Sequence, residues 1–148
     1  MVSNNLIDGR ALADQVHQET VQRIARLKSR DVQPGLTFVR VGEDPASKVY
    51  VGMKERMSGH LGIRSETLVL PESTSETELL TLVAHLNSDS RIHGILVQAP
   101  LPGHIHAPTI YGSVSPGKDV DGFHPINVGK LMQGDESGFL PLGTGSNS

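Results

Sequence analysis

Ser47, Tyr50 and Lys54 follow one another at steps of three and four residues, so on a helix a hydroxyl, a phenol and an amine project from one face. An amine in such company is a candidate proton carrier, because partial burial beside a neutral group lets it release or accept a proton near neutrality. Gln98 offers that neutral group: it ends the apolar run Gly94-Ile95-Leu96-Val97, and its amide can bond both a lysine amine and an incoming carbonyl. Asp119 and Asp121 sit in a glycine-flanked loop, where carboxylates can accept from the amino and ring N–H groups of a heterocycle. Each feature also has a plainer reading. The trio alone describes a solvated face with a lysine lying over apolar surface, Gln98 a strand-end residue capping backbone, and the aspartates ordinary turn formers.

Position decides between these readings, so the elements matter. From Gly9 to Arg30 no Gly or Pro intervenes, and Leu12, Val16, Thr20, Ile24 and Leu27 recur at helical spacing, with Asp8 as a plausible N-cap. Pro34-Gly35 breaks that helix ahead of the strand Leu36–Val41. Asp44-Pro45 pairs a capping carboxylate with proline at the first helical position, which predicts a second helix running to Gly59 or Gly62 and carrying the trio. Ile63–Leu70 reads as a second strand, and Ser75-Glu76-Thr77-Glu78 as a capping box opening a third helix through Leu79, Leu82, Val83 and Leu86. Gly94–Gln98 has the composition of a strand buried on both faces. The alternation is that of an α/β fold. Ligands of such folds bind at the carboxyl ends of the strands, which is where the loops Gly42–Ser47, Ala99–Gly103 and Ser115–Gly122 are expected to converge. Pro100 and Leu101, two and three residues after Gln98, are expected to line the same site.

Composition narrows the functions available. The 148 residues match one domain, with 36% apolar and 20% charged residues, a net charge of −3 and no cysteine. The acidic balance argues against nucleic acid as a partner, and the missing thiols exclude a disulfide framework or thiolate cluster. No apolar run is long enough to span a bilayer and the start lacks the pattern of a signal peptide, so a soluble, cytoplasmic protein with a small-molecule partner is expected. His104, His106 and His124 could in principle join Asp119 and Asp121 at a metal, but no helical His pair supports that, and no metal is expected. Gly42-Glu43-Asp44 lacks the Gly-Lys-Ser/Thr of a phosphate loop, and its acids would repel phosphate.

Three longer segments, in order, carry a family resemblance. They are Val41-Gly42-Glu43-Asp44-Pro45-Ala46-Ser47-Lys48-Val49-Tyr50-Val51 with Lys54, then Gly94-Ile95-Leu96-Val97-Gln98-Ala99-Pro100-Leu101-Pro102, then Lys118-Asp119-Val120-Asp121-Gly122-Phe123-His124-Pro125 with Asn127 and Gly129. Together they resemble the bifunctional methylenetetrahydrofolate dehydrogenase/cyclohydrolase enzymes, the FolD family, over about Leu6 to Pro141. The resemblance implies a three-layer α/β sandwich with a mostly parallel sheet flanked by helices, like the N-terminal domains of amino-acid dehydrogenases. It implies Lys54 as catalytic lysine, Gln98 as the glutamine that positions and tunes it, and Tyr50 against the aminobenzoyl ring of a folate, the three together forming the expected catalytic set. Asp121 then binds the pterin, Ser47 lines the site, and Asp119, Pro100 and Leu101 complete the substrate-binding set. The implied chemistry interconverts methylene-, methenyl- and formyl-tetrahydrofolate, with NADP or NAD as hydride acceptor in the parent enzyme.

Two departures shape the expectation for this chain. Ala99 stands where a bulkier leucine is common. After Phe139-Leu140-Pro141 the sequence reads Leu142-Gly143-Thr144-Gly145-Ser146-Asn147-Ser148 rather than the family's Cys-Thr-Pro continuation into a dinucleotide-binding domain. A folate-binding catalytic domain over 1–141 is therefore expected, with 142–148 a linker or tag-like tail and the NAD(P)-binding Rossmann domain, its natural intramolecular partner, absent. Dehydrogenation is not expected of such a chain, residual cyclohydrolase is conceivable, and a homo-oligomer stays open. The alternatives are a non-catalytic folate-binding or folding module, or the substrate domain of another two-domain dehydrogenase.

Overall fold

A computed structural model describes residues 9–135 and residue 137. Asp8 and the segment 138–148, including the tail, lie outside the described residues. Eight elements follow in the order α1 (Gly9–Lys28), β1 (Gly35–Val41), α2 (Pro45–Leu61), β2 (Arg64–Leu70), α3 (Glu76–Ser88), β3 (Gly94–Val97), α4 (Ala107–Ser113) and α5 (Pro125–Met132). The strands form one parallel sheet in the order β2-β1-β3. The expected α/β class holds, and all three strands are parallel.

Strand β1 sits in the centre, and its alternation builds both layers of core. Val39 and Val41 face Leu79, Val83 and Leu86 of α3 and Ile110 of α4, while Phe38 faces Val51 of α2 together with Leu96. Local chemistry sets the ends of the helices. The Asp44 carboxylate accepts from the Ser47 amide at 2.7 Å, Pro45 opens α2, and Gly62 closes it in the left-handed region at φ 83°. At α3 both halves of the capping box form, with Glu78 Oε2 2.7 Å from the Ser75 amide and Ser75 Oγ 3.2 Å from the Glu78 amide.

Helix α1 departs from expectation. Of its apolar stripe only Ile24 is buried, against Gly62 at the end of α2, while Leu12, Val16 and Leu27 remain exposed. The periodicity correctly predicted a helix, but this helix rests on α2 rather than on the sheet, so most of its apolar face has no cover among the described residues. The short helices α4 and α5 were not anticipated. Each carries a proline in its first turn, and the His124 ring caps α5 by accepting from the Ile126 amide at 3.1 Å.

One glycine positions the site. A Cβ at Gly94 would come within 2.4 Å of Leu36 and 2.5 Å of Val120, so only glycine lets the loop carrying Val120 lie against the start of β3. There the Ile95 amide donates to Lys118 O at 2.7 Å, and Ile95 and Asp119 form a parallel bridge.

Candidate functional site

Two of the loops expected to converge, Gly42–Ser47 and Ala99–Gly103, meet directly, while the Ser115–Gly122 loop runs alongside β3 from its start. Ser47, in the first turn of α2, is 3% exposed, and its Oγ donates to the Ala99 carbonyl at 3.1 Å. Gln98 Nε2 donates to the same oxygen at 2.7 Å. The exits of β1 and β3 are thus fastened together at one carbonyl. The other amide atom of Gln98, Oε1, is buried with no hydrogen-bond partner among the described residues. A buried acceptor left bare costs about 1–3 kcal/mol, so this oxygen is an open place for a donor.

Along α2 the trio grades outward: Ser47 is buried, Lys54 half-buried and Tyr50 55% exposed. Asp121 is also half-buried. Burial raises the pKa of its carboxyl above the usual value; the positive charge of Lys54 opposes the rise and the neighbouring Asp119 adds to it. Lys54 and Asp121 therefore share one electrostatic environment. The two residues are separated by more than sixty residues of chain yet lie close enough to feel each other's charge.

Asp119 takes a different part from its neighbour. It is 5% exposed, and its Oδ2 accepts from Asn127 Nδ2 at 2.9 Å and from the His124 amide at 2.8 Å. This carboxylate anchors the start of α5. Pro100, joined to Ala99 by a cis peptide bond, lines a recess with Gly42, Glu43, Asp44, Glu72 and Pro102. Leu101 turns inward and packs on the aliphatic core. The three histidines singled out in the sequence are engaged locally: His104 Nε2 with Thr74 O at 2.8 Å, His106 Nδ1 with Thr109 Oγ1 at 2.8 Å, and His124 in its cap. Among the described residues no group of three His, Asp or Glu side chains is placed to hold a metal ion.

Residues that sequence reasoning missed hold the aspartate loop from below. Lys118 Nζ donates to the carbonyls of Leu86, Asn87 and Asp89 at 3.0, 2.7 and 2.9 Å, at the carboxyl end of α3. The Asn87 side chain donates to Ser113 O and accepts from the Ser115 amide, both at 2.8 Å. Lys118 stood directly before the two aspartates and carried that much signal. Asn87 carried none, since its role depends on which loop α3 meets.

Residues 7–121 match the family model described as tetrahydrofolate dehydrogenase/cyclohydrolase, catalytic domain. The chain belongs to this family. Among curated relatives it is 52% identical over 129 residues to the bifunctional protein FolD of Geotalea uraniireducens, covering 87% of this chain and 46% of that protein. Among solved structures it resembles the bifunctional enzyme FolD, a methylenetetrahydrofolate dehydrogenase/cyclohydrolase from Campylobacter jejuni, with a TM-score of 0.88 at 46% identity, covering 90% of this chain and 48% of that one. A Trypanosoma brucei methylenetetrahydrofolate dehydrogenase-cyclohydrolase, solved with NADP cofactor and an inhibitor, superposes with a TM-score of 0.84 at 33% identity, covering 91% and 46%. The chain spans about half the length of the curated relatives it matches.

Family membership raises the question of a nicotinamide cofactor. At the exit of β1, the usual place for a pyrophosphate in a dinucleotide-binding turn, the recess is bordered by the acidic residues Glu43, Asp44 and Glu72. Carboxylates repel a pyrophosphate, so these residues do not fit a dinucleotide. Among the described residues no helix is long and apolar enough to cross a membrane.

Proposed function

We propose that this chain is the folate-binding catalytic domain of a methylenetetrahydrofolate dehydrogenase/cyclohydrolase, and that its own residues serve the hydrolytic step, from methenyl- to formyl-tetrahydrofolate. The observation that carries this reading is the bare, buried Oε1 of Gln98, with Lys54 and Asp121 close enough to interact electrostatically.

In this reading Lys54 moves the proton. Hydrolysis of a methenyl cation requires water to add to a positively charged carbon, a proton to leave that water, and a proton to reach the ring nitrogen as the ring opens. A lysine amine can perform both transfers in turn. Gln98 aims it: Nε2 is already committed to the Ala99 carbonyl, which leaves Oε1 to accept from the lysine. Asp121 takes the amino-pyrimidine edge of the pterin as a hydrogen-bond acceptor, Tyr50 packs on the aminobenzoyl ring, and Ser47 holds the wall through Ala99. Pro100 borders the substrate, whereas Asp119 and Leu101 support the site from behind. Hydride transfer in the parent enzyme needs NADP or NAD held within about 3–3.5 Å of the reacting carbon. Because the acidic recess at the exit of β1 does not fit a pyrophosphate, that step is assigned to the dinucleotide-binding part of the parent enzyme.

The test follows loss of methenyltetrahydrofolate absorbance with the chain and with Lys54→Met. The expected result is hydrolysis above the buffer rate that falls to background in the variant. Equal rates with both would remove Lys54 from the mechanism. Tetrahydrofolate binding by calorimetry without any turnover would reduce the chain to a folate-binding module.

A further inference from the structure

On the flank of α2 turned away from Ser47, Tyr50 and Lys54, a cavity of about 460 Å³ is lined by the helix and by strands β1 and β2. Lys48, Gly52 and Arg56 follow at steps of four along α2, so a cation stands on either side of a residue without a side chain. A Cβ at Gly52 would meet Arg56 Nη1 at 3.6 Å and nothing nearer, which leaves the space between the two cations open. The central strand adds a third cation, Arg40, which is 5% exposed. Its Nη1 donates to the Gly42 carbonyl, and its ion-pair partner at 3.5 Å, Glu43, is itself 75% exposed and lies outside the cavity lining. Lys48 and Arg56 have no ion-pair partner among the described residues, and Glu55 is the one carboxylate in the lining. In a chain of net charge −3 this cavity is therefore cationic. Thr67, in register with Phe38 of β1, also lines it, and the Thr67 Oγ1 is buried with no hydrogen-bond partner among the described residues. A buried guanidinium whose carboxylate is solvated and a buried hydroxyl left bare are both unfavourable until something completes them.

We propose that this cavity is a phosphate-binding site, separate from the proposed folate site, which takes inorganic phosphate or the phosphate group of a monoester. Guanidinium groups present paired N–H donors that match phosphate oxygens, and the Lys48 ammonium adds a point charge. The Thr67 hydroxyl, a donor without an acceptor, bonds a further oxygen. Val49 and Val51, also in the lining, supply an apolar wall for the organic part of an ester. The hydrolytic step proposed above uses none of these side chains, so the two readings stand or fall separately.

Inorganic phosphate and phenyl phosphate are titrated into the full chain by calorimetry near neutral pH, with sodium chloride holding the ionic strength constant. Saturable binding is expected. Tighter binding of phenyl phosphate assigns the site to an ester, and equal affinity assigns it to free phosphate. The double variant Lys48→Gln/Arg56→Gln should weaken binding about tenfold or more, since it removes charge-assisted bonds. Gly52→Leu fills the space while keeping every cation, and should weaken binding comparably. Thr67→Val is expected to melt no lower than the unsubstituted chain in chloride, having lost a bare hydroxyl, yet to bind phosphate about five- to tenfold more weakly. Lys54→Met should bind phosphate as the unsubstituted chain does. No heat with either compound, affinity preserved in the double variant or in Gly52→Leu, or binding lost in Lys54→Met overturns the proposal.

Discussion

Ser47 and Ala99, 52 residues apart in sequence, are joined by a single hydrogen bond of 3.1 Å from serine Oγ to the alanine carbonyl. The bond ties the first turn of α2 to the exit of β3, so the register between the lysine-bearing helix and the glutamine-bearing strand depends on it. Ser47→Ala retains the backbone half of the cap from Asp44, and removes this tie together with the contact of the Ser47 hydroxyl to the Asp44 carboxylate. A loss of about 1 kcal/mol in unfolding free energy is expected, read from urea denaturation. An unchanged midpoint would show that the Gln98 bond alone secures Ala99.

Gln98 separates stability from function. Its buried Oε1 has no partner among the described residues, so Gln98→Leu removes an unsatisfied acceptor while giving up the Nε2 bond to Ala99. These effects oppose one another, and the variant is expected to unfold within about 1 kcal/mol of the unsubstituted chain. Hydrolysis of methenyltetrahydrofolate should nonetheless fall by roughly tenfold or more, because the lysine loses its aim. A variant that is fully active would make Gln98 a strand-end residue only.

What could be read from the sequence was what local chemistry decides. Asp44-Pro45 and Gly62 bracket α2, and Ser75 with Glu78 opens α3, because caps satisfy backbone groups within a few residues. The face bearing Ser47, Tyr50 and Lys54 followed from helix geometry alone. Tertiary partners were not legible. Nothing near Leu12 or Val16 says that they stay exposed, and nothing near Tyr111 says that its ring meets Phe123. The two aspartates of one loop also diverge, since Asn127 captures Asp119, while Asp121 feels the charge of Lys54. The helices α4 and α5 hid among turn residues, although a proline in the first turn was a usable sign for both.

Lys118 underlies the aspartate loop. Its ammonium satisfies three carbonyls at the end of α3, and its own carbonyl receives the Ile95 amide. Lys118→Met keeps the aliphatic stem and deletes the donors. A destabilisation of about 1.5–3 kcal/mol is expected, as for hydrogen bonds to a charged group. Hydrogen exchange should also quicken at the Ile95 and Gly122 amides ahead of the core. Exchange that quickens uniformly across the sheet would mean that the clamp supports global stability and has no particular hold on the loop.

Asp121 predicts a pH dependence opposite in sign to that of the capping carboxylates. Burial raises its pKa in the folded state above the ordinary 3.8, so the folded chain holds this proton more tightly than the unfolded one. Its contribution to stability is therefore greatest below about 3.8 and declines as pH rises through the folded value. The carboxyls of Asp44, Glu78 and Asp89 are instead held below their usual range, by the Ser47 amide, the Ser75 amide and the Arg91 side chain respectively. Their contributions are present at neutral pH and are lost in acid. Asp121→Asn should accordingly melt higher than the unsubstituted chain at pH 7, with the gap closing as pH falls towards 3.8, while both proteins lose stability in acid through the other three groups. The same substitution replaces an acceptor-only carboxylate with an amide that must turn a donor or a weaker acceptor to the ligand, so tetrahydrofolate affinity should fall as the melting temperature rises. Scanning calorimetry from pH 3 to 8 with and without ligand measures both. A variant that melts lower than the parent at pH 7 would show that the pull of Lys54 on the carboxylate outweighs the penalty of its burial.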